Sequence, residues 1–387
     1  MSCRIASIVQ GIPRSGIRDF FEIVQSMNDV ISLGIGEPDF VTPWHIREAA
    51  IYSLEKGKTS YTSNLGDPQL RRSIATYVKK HFGVTYSAQN EILVSVGVSE
   101  AIDLALRALI NPGDEVIYHE PCYVSYAPTI ALAHGVAVPI ATRPEEKFVL
   151  CAADLEKKIT PRTKVLMLNF PTNPTGAIMS REELVKIAEV CCRCDLLVLT
   201  DEIYSELMYD GVGHTSITAL PGMKERTVLL HGVSKAFAMT GWRIGFACGP
   251  VDIIEAMMKI HQYSILCAPI MSQEAAKEAL DHGELSVASM REEYQRRRNV
   301  VVGACREMGL DCFCPQGAFY IFPNITKTGL SSKEFSLQLL QEKKVAVVPG
   351  SAFGPSGEGF VRCSYATSMD KLKVAMERIA AFVEEKK

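Results

Sequence analysis

Short apolar runs alternate, over the first 250 residues, with segments in which apolar residues recur every three or four positions. The short runs predict strands and the intervening segments predict helices. This alternation is typical of a parallel sheet whose strands are joined by crossover helices. Four of the five predicted strands are apolar on both faces, as expected of central strands that helices cover on both sides. The five runs are ILVSVG (92–97), EVIYHE (115–120), KVLMLNF (164–170), LLVLT (196–200) and TVLLHG (227–232).

Local signals mark where some of the helices begin. Ser180 and Glu183 have the spacing of a capping box, which predicts a helix that continues to residue 192. Ser99, followed by Glu100, comes directly after the first predicted strand, and we expect a helix to open at Ser99. A further helix is predicted over the charged segment 289–308.

The last hundred residues predict a smaller α+β unit, because their strands and helices have one polar face. The N-terminal strand within residues 30–40 is too short to fold alone, and we expect it to pack on this C-terminal unit. We therefore predict a large α/β domain with a mostly parallel, seven-stranded type of sheet between helices, and a small domain formed by both chain ends. The large domain is expected at 46–285 and the small one at 1–45 and 286–387. The elements predicted for the C-terminal unit are a helix at 332–343 and strands within 317–323, 345–350 and 360–366.

The composition narrows the class of protein. The chain has 387 residues, of which 47% are hydrophobic and 22% charged, so it can bury a large core and is not disordered. A net charge of -3 disfavours a nucleic-acid-binding protein, which needs a basic surface. No segment approaches the roughly 18 unbroken apolar residues of a membrane-spanning helix, and charges interrupt every short apolar stretch near the N-terminus. We therefore expect a cytoplasmic protein without a signal peptide.

The twelve cysteines do not have the spacing of a metal site. Cys191, Cys192 and Cys194 are close together, but no second Cys-x-x-Cys or histidine pair follows them at a suitable interval. We expect reduced cysteines that pack as small apolar side chains, and we predict no metal ligand.

Several chemically distinct side chains follow the predicted strands. Ligands of open parallel sheets bind beyond the carboxyl ends of the strands, so these positions are the first candidates for a site. Core packing does not select such a combination, which comprises an anion-binding turn, an aromatic ring, an amide, a carboxylate, a phenol and an amine. They are Gly97-Val98-Ser99, Tyr123, Asn173, Asp201 with Tyr204, and Ser234-Lys235.

Three of these positions have both a functional and an ordinary interpretation. Lys235 leaves an apolar strand, where desolvation would make its amine a Schiff-base nucleophile, although a lone loop lysine is more often solvated. Arg243 lies eight residues further on, and one ligand with an aldehyde and a phosphate would explain both cations. Asp201 either caps the next helix or pairs with a pyridinium nitrogen. The turn 97–99 either holds a phosphate through its N–H groups or is an ordinary helix start capped by Ser99.

Four motifs resemble the aspartate aminotransferase family, the class I, fold-type I pyridoxal-phosphate enzymes. The resemblance extends from SGIR (15–18) and LGIGEPDF (33–40) to the final helix and therefore covers nearly the whole chain. It is closest to the aromatic and the N-acetyl-diaminopimelate aminotransferases of microbes. The four motifs are TNPTG (172–176), DEIYSELMY (201–209), SKAFAMTGWRIG (234–245) and RCSYA (362–366).

The resemblance implies pyridoxal 5'-phosphate as cofactor and a role for each residue around its ring. Lys235 is implied as the lysine that forms the aldimine and as the base that moves the substrate proton. Asp201 is implied to pair with the pyridine nitrogen, and Tyr204 and Asn173 to hydrogen-bond the ring oxygen. Tyr123 is implied to stack on the ring, at a position where the family often has tryptophan.

The same resemblance implies a phosphate site and a homodimer. Residues 97–99, Ser234 and Arg243 are implied to hold the phosphate. The family commonly has a hydroxyl residue three positions before the lysine, whereas this chain has Gly232, so one phosphate contact is expected to be missing. Tyr61 matches a tyrosine that reaches the phosphate of the neighbouring subunit, which implies that the active sites are shared within a dimer.

Substrate binding is implied for a further group of residues. Arg362 matches the arginine that binds the substrate α-carboxylate, for which a guanidinium fork is well suited. On the local pattern alone, Arg362 could equally be a surface arginine of an edge strand. Side-chain specificity is expected to depend on the N-terminal segment, on residues 263–269 and on Phe353. The predicted substrate-binding residues are Gly36, Asn173, Arg362 and Ile17.

The predicted activity is transfer of an amino group from an L-amino acid, aromatic or of broad range, to a 2-oxo acid, with 2-oxoglutarate as the expected acceptor. N-acetyl-diaminopimelate and aspartate remain alternative substrates. A carbon–sulfur β-lyase of the same fold is the alternative reaction, because the cofactor motifs do not separate elimination from transfer. A ligand-sensing regulator on this fold would need a DNA-binding module, for which we see no room before Gly36.

Overall fold

The structure is a computed structural model and describes residues 4–13 and 27–386. Within these residues the strands are β1 Ile31–Ser32, β2 Ile92–Ser95, β3 Glu115–Glu120, β4 Val136–Ala141, β5 Thr163–Asn169, β6 Leu197–Asp201, β7 Thr227–Gly232, β8 Gly245–Cys248, β9 Tyr320–Ile321, β10 Val345–Ala346, β11 Val348–Pro349 and β12 Val361–Ser364. The α-helices of the same residues are α1 Ser7–Gln10, α2 Trp44–Glu55, α3 Pro68–Phe82, α4 Gly97–Leu109, α5 Tyr126–Leu132, α6 Ala152–Lys158, α7 Arg181–Arg193, α8 Val251–Ser264, α9 Ile270–His282, α10 Glu284–Glu307, α11 Ser332–Lys343 and α12 Met369–Glu385.

A seven-stranded sheet in the order β2-β8-β7-β6-β5-β3-β4 forms the centre of the fold. The strands from β7 to β4 pair in parallel, and β8 is antiparallel to both of its neighbours. The prediction of a mostly parallel α/β sheet is confirmed. The sequence pattern did not predict two of its strands. The edge strand β4 is half exposed and contains Pro139, and β8 follows directly on the SKAFAMTGWRIG motif.

The helix starts were predicted with unequal success. The capping box of Ser180 and Glu183 is present at the start of α7. The expected start at Ser99 is wrong, because α4 begins at Gly97 and its N-cap residue, Val96, offers no side-chain cap. Gly97 has a φ of 75°, which favours glycine, and this conformation turns the chain into the helix two residues early. The helix expected from 289 instead begins at Glu284.

The C-terminal elements form two small sheets. One has the order β11-β12-β9 with antiparallel pairs, and the other joins β1 and β10 in parallel. The segment 345–350 is therefore two short strands in different sheets rather than one. The expectation that the N-terminal strand packs on the C-terminal unit is confirmed by the β1–β10 pairing. Leu33 belongs to the same apolar core as Phe335 and Phe382.

Membrane-spanning helices and disulfide bonds can be assessed for the described residues alone. In residues 4–13 and 27–386, no helix is both long and apolar enough to cross a membrane. The eleven cysteines in these ranges are all free thiols, and five of them are buried.

Candidate active site

Lys235 lies three residues beyond β7, at the carboxyl end of this strand. Its Nζ donates a hydrogen bond of 2.6 Å to the carbonyl oxygen of Gly36. Burial, and then the nearby Arg362 guanidinium, lower the pKa of Lys235 to about 8. Asp201 and Arg243 are also close enough to influence this pKa. The amine is therefore available in its neutral form near neutral pH, as a nucleophilic or basic lysine requires.

Asp201 ends β6 with a buried carboxylate. Its Oδ2 accepts a 2.8 Å hydrogen bond from the hydroxyl of Tyr126, and its Oδ1 accepts one of 3.3 Å from the Ile203 amide. Burial raises the pKa of Asp201 to about 6, although both hydrogen bonds oppose this shift. Turns rather than a helix follow Asp201, so the helix-cap alternative is wrong. In the described part of the chain no cationic side chain is in ion-pair contact with this carboxylate.

Asn169 forms hydrogen bonds with both Asp201 and Asn173, which the resemblance implies as partners of the ring nitrogen and the ring oxygen of the cofactor. Its Nδ2 donates a hydrogen bond of 2.9 Å to the carbonyl oxygen of Asp201, and its Oδ1 accepts one of 3.2 Å from the Asn173 amide. The backbone N–H of Asn169 donates a hydrogen bond of 3.2 Å to Nε2 of His119. Asn169 is 1% exposed, so this network lies inside the protein at the end of β5.

Arg362 lies on β12, the central strand of its small sheet, and is 3% exposed. The surface-arginine alternative is therefore wrong. One terminal nitrogen donates to Oδ1 of Asn173 at 2.9 Å and the other donates to the Gly34 carbonyl oxygen. The guanidinium lies 4.5 Å from the centre of the Tyr320 ring and 4.9 Å from that of Phe353. Its Nε is buried without a hydrogen-bond partner in the described residues, which leaves a donor for a ligand.

Tyr204 is buried beside these residues and shares a hydrogen bond with Tyr320. The two hydroxyl oxygens are 2.8 Å apart. Burial raises the pKa of Tyr204 well above its ordinary value, so its hydroxyl keeps its proton and can donate it in a hydrogen bond.

The turn 97–99 and Arg243 lie against each other. A side chain at position 97 would meet the Arg243 guanidinium, and the positive φ of Gly97 disfavours any other residue there. The Arg243 guanidinium also donates to the Thr240 carbonyl oxygen at 3.0 Å. A cation thus lies directly beside the N-terminus of α4, where backbone N–H groups and the helix dipole favour an anion. Ser234 is buried at the start of the lysine loop.

The departure at Gly232 has a packing cause. A Cβ at this position would lie 2.8 Å from the carbonyl oxygen of Ile244 and 2.9 Å from the Cα of Gly245. Both atoms belong to backbone, which cannot move aside as a side chain can. The expected hydroxyl side chain has no room here, because β8 runs too close to β7.

Three further predicted residues, Tyr123, Tyr61 and Ile17, do not belong to this buried network. Tyr123 is half-buried and packs edge-on against Tyr126, with ring centres 5.8 Å apart. Tyr61 is 83% exposed and therefore faces away from the core of its own chain. Ile17 lies outside the described residues.

Sequence reasoning missed Tyr126, Asn169 and Tyr320. Each makes its decisive hydrogen bond to a residue that is distant in sequence, such as Asp201 for Tyr126 and Tyr204 for Tyr320. Asn169 is the last residue of β5, whereas Tyr126 lies beyond the end of β3, at the start of α5. Tyr320 lies within a segment that reads as an ordinary apolar strand.

The site thus combines an amine of lowered pKa, a buried carboxylate without a cationic partner, a helix N-terminus beside an arginine, and a buried guanidinium with a free N–H. A ligand that carries an aldehyde, a protonated ring nitrogen and a phosphate fits the first three. A second ligand with a carboxylate fits the guanidinium.

Comparison with known proteins agrees with this chemistry. The family model for aminotransferases of class I and II matches residues 28–379. The chain is 46% identical over 375 residues to the aromatic-amino-acid aminotransferase 2 of Thermococcus litoralis, covering 96% of each chain. It is 48% identical, at the same coverage, to the aspartate aminotransferase of Pyrococcus abyssi. The crystal structure of the aromatic aminotransferase from Pyrococcus horikoshii superposes with a TM-score of 0.91 at 47% identity, over 95% of this chain and 99% of that one.

The match spans the large sheet and both small sheets, and the identities are high over almost the full length. The chain therefore belongs to the class I and II aminotransferase family, and the protein is a pyridoxal-phosphate-dependent aminotransferase.

Proposed function

We propose that the protein transfers the amino group of an L-amino acid, aromatic or of broad range, to a 2-oxo acid, with 2-oxoglutarate as acceptor and Lys235 as the lysine that binds the cofactor covalently. The observation that carries this proposal is the buried Lys235 amine, whose pKa is lowered to about 8 and which lies close enough to Asp201 and Arg362 to be influenced by both charges. Pyridoxal phosphate, when bound, supplies the electron sink that makes the substrate Cα–H acidic.

The residues around Lys235 fit the cofactor. Asp201 would hold the pyridine nitrogen. A buried carboxylate without a cationic partner is stabilised strongly by the positive charge of a protonated ring nitrogen. Tyr204 and Asn173 would bind the ring oxygen, and Tyr123 would stack on the ring. Ser234, Arg243 and the turn of Gly97, Val98 and Ser99 would hold the phosphate.

Lys235 would also act as the base. Once its Nζ is released, the lowered pKa lets the amine take the proton at the substrate Cα near neutral pH. The 2.6 Å hydrogen bond to the Gly36 carbonyl keeps the amine buried rather than in solvent.

Arg362 would bind the α-carboxylate of the substrate. Its free Nε and a terminal nitrogen form the fork that a carboxylate meets with two hydrogen bonds. Gly36 and Asn173 would complete this part of the site. Asn173 already accepts a hydrogen bond from the guanidinium, which holds the fork in place before substrate arrives.

The preference for an aromatic donor is supported by the rings beside Arg362. Tyr320 and Phe353 pack on the guanidinium. Residues 263–269 and Phe353, which we expect to determine side-chain specificity, include no arginine. A distal carboxylate would therefore meet no obvious cationic partner here, which favours aromatic substrates over aspartate. Ile17 and the exposed residue Tyr263 belong to the segments that we propose to complete the side-chain pocket.

We also propose a homodimer and a division into two domains. Tyr61 is 83% exposed, as expected of a side chain that reaches the phosphate in the partner's active site. The large domain would comprise 46–285, and the small one 1–45 and 286–387. The parallel pairing of β1 with β10 supports the inclusion of the N-terminal segment in the small domain.

The experiment is a donor panel with purified enzyme and 2-oxoglutarate. It includes phenylalanine, tyrosine, aspartate, alanine, lysine and N-acetyl-diaminopimelate. The proposal predicts the highest kcat/KM for an aromatic donor, and it is wrong in its substrate class if aspartate or N-acetyl-diaminopimelate exceeds both aromatic donors.

The reaction type needs a separate measurement without acceptor. A stoichiometric conversion of bound cofactor to pyridoxamine phosphate supports transfer. Continuous release of ammonia and pyruvate from a cysteine conjugate would instead identify the protein as a β-lyase.

A further inference from the structure

Partly buried Glu100 and fully buried His261 form a pair at the turn between β2 and α4. Oε2 of Glu100 accepts a hydrogen bond of 2.5 Å from the Val96 amide, and Oε1 accepts one of 2.8 Å from Nδ1 of His261. His261 is fully buried on α8, which packs along α4. One carboxylate therefore links the turn to a helix 161 residues further along the chain.

Helix capping explains one half of the pair. Val96 is the N-cap residue of α4, and Glu100 reaches back from the first turn to the Val96 amide, as the glutamate of a capping box does. Capping does not require the second hydrogen bond, which joins Glu100 to His261. A carboxylate at this position also repels an anion bound at the same helix end. What the carboxylate gains is a fixed orientation for the peptide groups from Val96 to Ser99.

His261 connects the turn to two exposed segments. Its carbonyl oxygen accepts hydrogen bonds from the amides of Ile265 and Leu266, at 2.9 and 3.0 Å. The Leu266 carbonyl oxygen accepts a 2.9 Å hydrogen bond from Asn64, three residues from Tyr61. His261 Nε2 has no hydrogen-bond partner in the described residues, so among the described groups only Glu100 fixes the ring through a hydrogen bond.

We propose that Glu100 and His261 are positioning residues for the cofactor phosphate, because together they hold the N–H groups of the turn in the orientation that receives it. This inference rests on the proposed assignment of residues 97–99 and Arg243 to the phosphate. Neither side chain needs to touch the cofactor.

The test compares the dissociation constants of pyridoxal phosphate and phosphate-free pyridoxal, measured by absorbance titration of the full-length apoenzyme. His261→Phe removes the hydrogen bond and keeps the ring volume, and it should weaken pyridoxal phosphate by about ten- to a hundredfold, the span of one charge-assisted hydrogen bond. Pyridoxal should bind as it does to the wild type. His261→Asn places an amide nitrogen near Nδ1 and should restore most of the loss.

Glu100→Ala separates positioning from charge, and it keeps the test decisive if His261→Phe does not fold. Loss of a repelling carboxylate alone would tighten pyridoxal phosphate, whereas loss of positioning weakens it. Amide hydrogen exchange of residues 96–99 should also become faster in this variant. Glu91→Ala is the matched control, because Glu91 also accepts from a backbone amide, that of Ser87, and pairs with Lys224.

Arg243→Gln distinguishes the proposed phosphate site from the positioning role of Glu100 and His261. If Arg243→Gln weakens pyridoxal phosphate but Glu100→Ala and His261→Phe do not, the positioning role is wrong and the phosphate site stands. If Arg243→Gln has no effect on pyridoxal phosphate, the proposed phosphate site itself is wrong. Equal weakening of pyridoxal and pyridoxal phosphate in His261→Phe would also overturn the positioning role.

Discussion

The Tyr126 hydroxyl donates a 2.8 Å hydrogen bond to Oδ2 of Asp201, and this neutral donor is the closest side-chain partner of a buried carboxylate. A phenol stabilises the carboxylate less than a cation would. The pKa of Asp201 is accordingly raised to about 6 by burial, despite the hydrogen bond. The structure therefore keeps a carboxylate in a position that costs stability until a cation arrives.

Asp201→Asn should stabilise the apoenzyme. The folded-state pKa of Asp201 is raised above the unfolded value, so the ionised carboxylate disfavours folding at pH values above 6, and this cost disappears as pH falls below about 4. The rise of the Asp201 pKa to about 6 corresponds to a cost of about 3 kcal/mol at pH 8. Urea unfolding of the apoenzyme at pH 8 should show a gain of about 1–3 kcal/mol for the variant, and the gain should shrink towards pH 5.

Asp210→Asn is the control for this effect. Asp210 accepts two hydrogen bonds from the Arg298 guanidinium, at 2.6 and 2.7 Å, which lower its pKa. Its substitution should therefore destabilise the apoenzyme at the same pH. If both variants change stability in the same direction, the unpaired burial of Asp201 does not control the energetics.

The rate of cofactor binding should depend on the protonation of Lys235. Only the neutral amine attacks an aldehyde, and the pKa of Lys235 is about 8. The association rate constant of pyridoxal should therefore rise with pH and level off above this value. Because Arg362 contributes to the lowered pKa, Arg362→Gln should move the midpoint to higher pH. Stopped-flow absorbance measures both, and an unchanged midpoint in Arg362→Gln would show that the two groups are not coupled.

Arg362→Lys should remove carboxylate recognition while it keeps the charge. The lysine cannot form the planar fork or retain the stacking on Tyr320. We expect kcat/KM for phenylalanine to fall by about a hundred- to ten-thousandfold, the span of two lost charge-assisted hydrogen bonds. Phenethylamine has the same ring without a carboxylate and serves as the control donor. If both donors lose the same factor, Arg362 does not bind the carboxylate.

Gly232→Ser should not add a phosphate contact. The new Cβ would lie 2.8 Å from the Ile244 carbonyl oxygen, so β7 and β8 would have to separate. Overpacking of this kind costs about 1–3 kcal/mol, which should lower the melting temperature of the apoenzyme. Tighter binding of pyridoxal phosphate at unchanged stability would contradict this account.

The sequence predicted the central strands and named most of the residues that we propose for the site, but it did not predict the hydrogen bonds among them. The strands β2, β3, β5, β6 and β7 each contain an uninterrupted buried run of apolar residues, so the pattern alone located them. The half-exposed edge strand β4 lacks that continuity. Lys235 and Arg362 were found because each belongs to a long motif. Tyr126 and Asn169 were missed because hydrogen bonds between residues far apart in sequence leave no local pattern.

The early start of α4 illustrates the same limit. Ser99 has the residue type of an N-cap, but the positive φ of Gly97 begins the helix two residues sooner. The guanidinium of Arg243, a residue far away in sequence, lies against Gly97. The residue types at positions 97–99 carry no information on a tertiary contact of this kind.

The most direct test of the central claim is to identify the lysine that carries the cofactor. The holoenzyme is reduced with borohydride and digested, and the pyridoxyl-phosphate peptide is located by mass spectrometry. The account predicts a single modified residue, Lys235, and no modification in Lys235→Ala, which should also lose multiple turnover with any donor. Modification of a different lysine, or sustained turnover by Lys235→Ala, would contradict it.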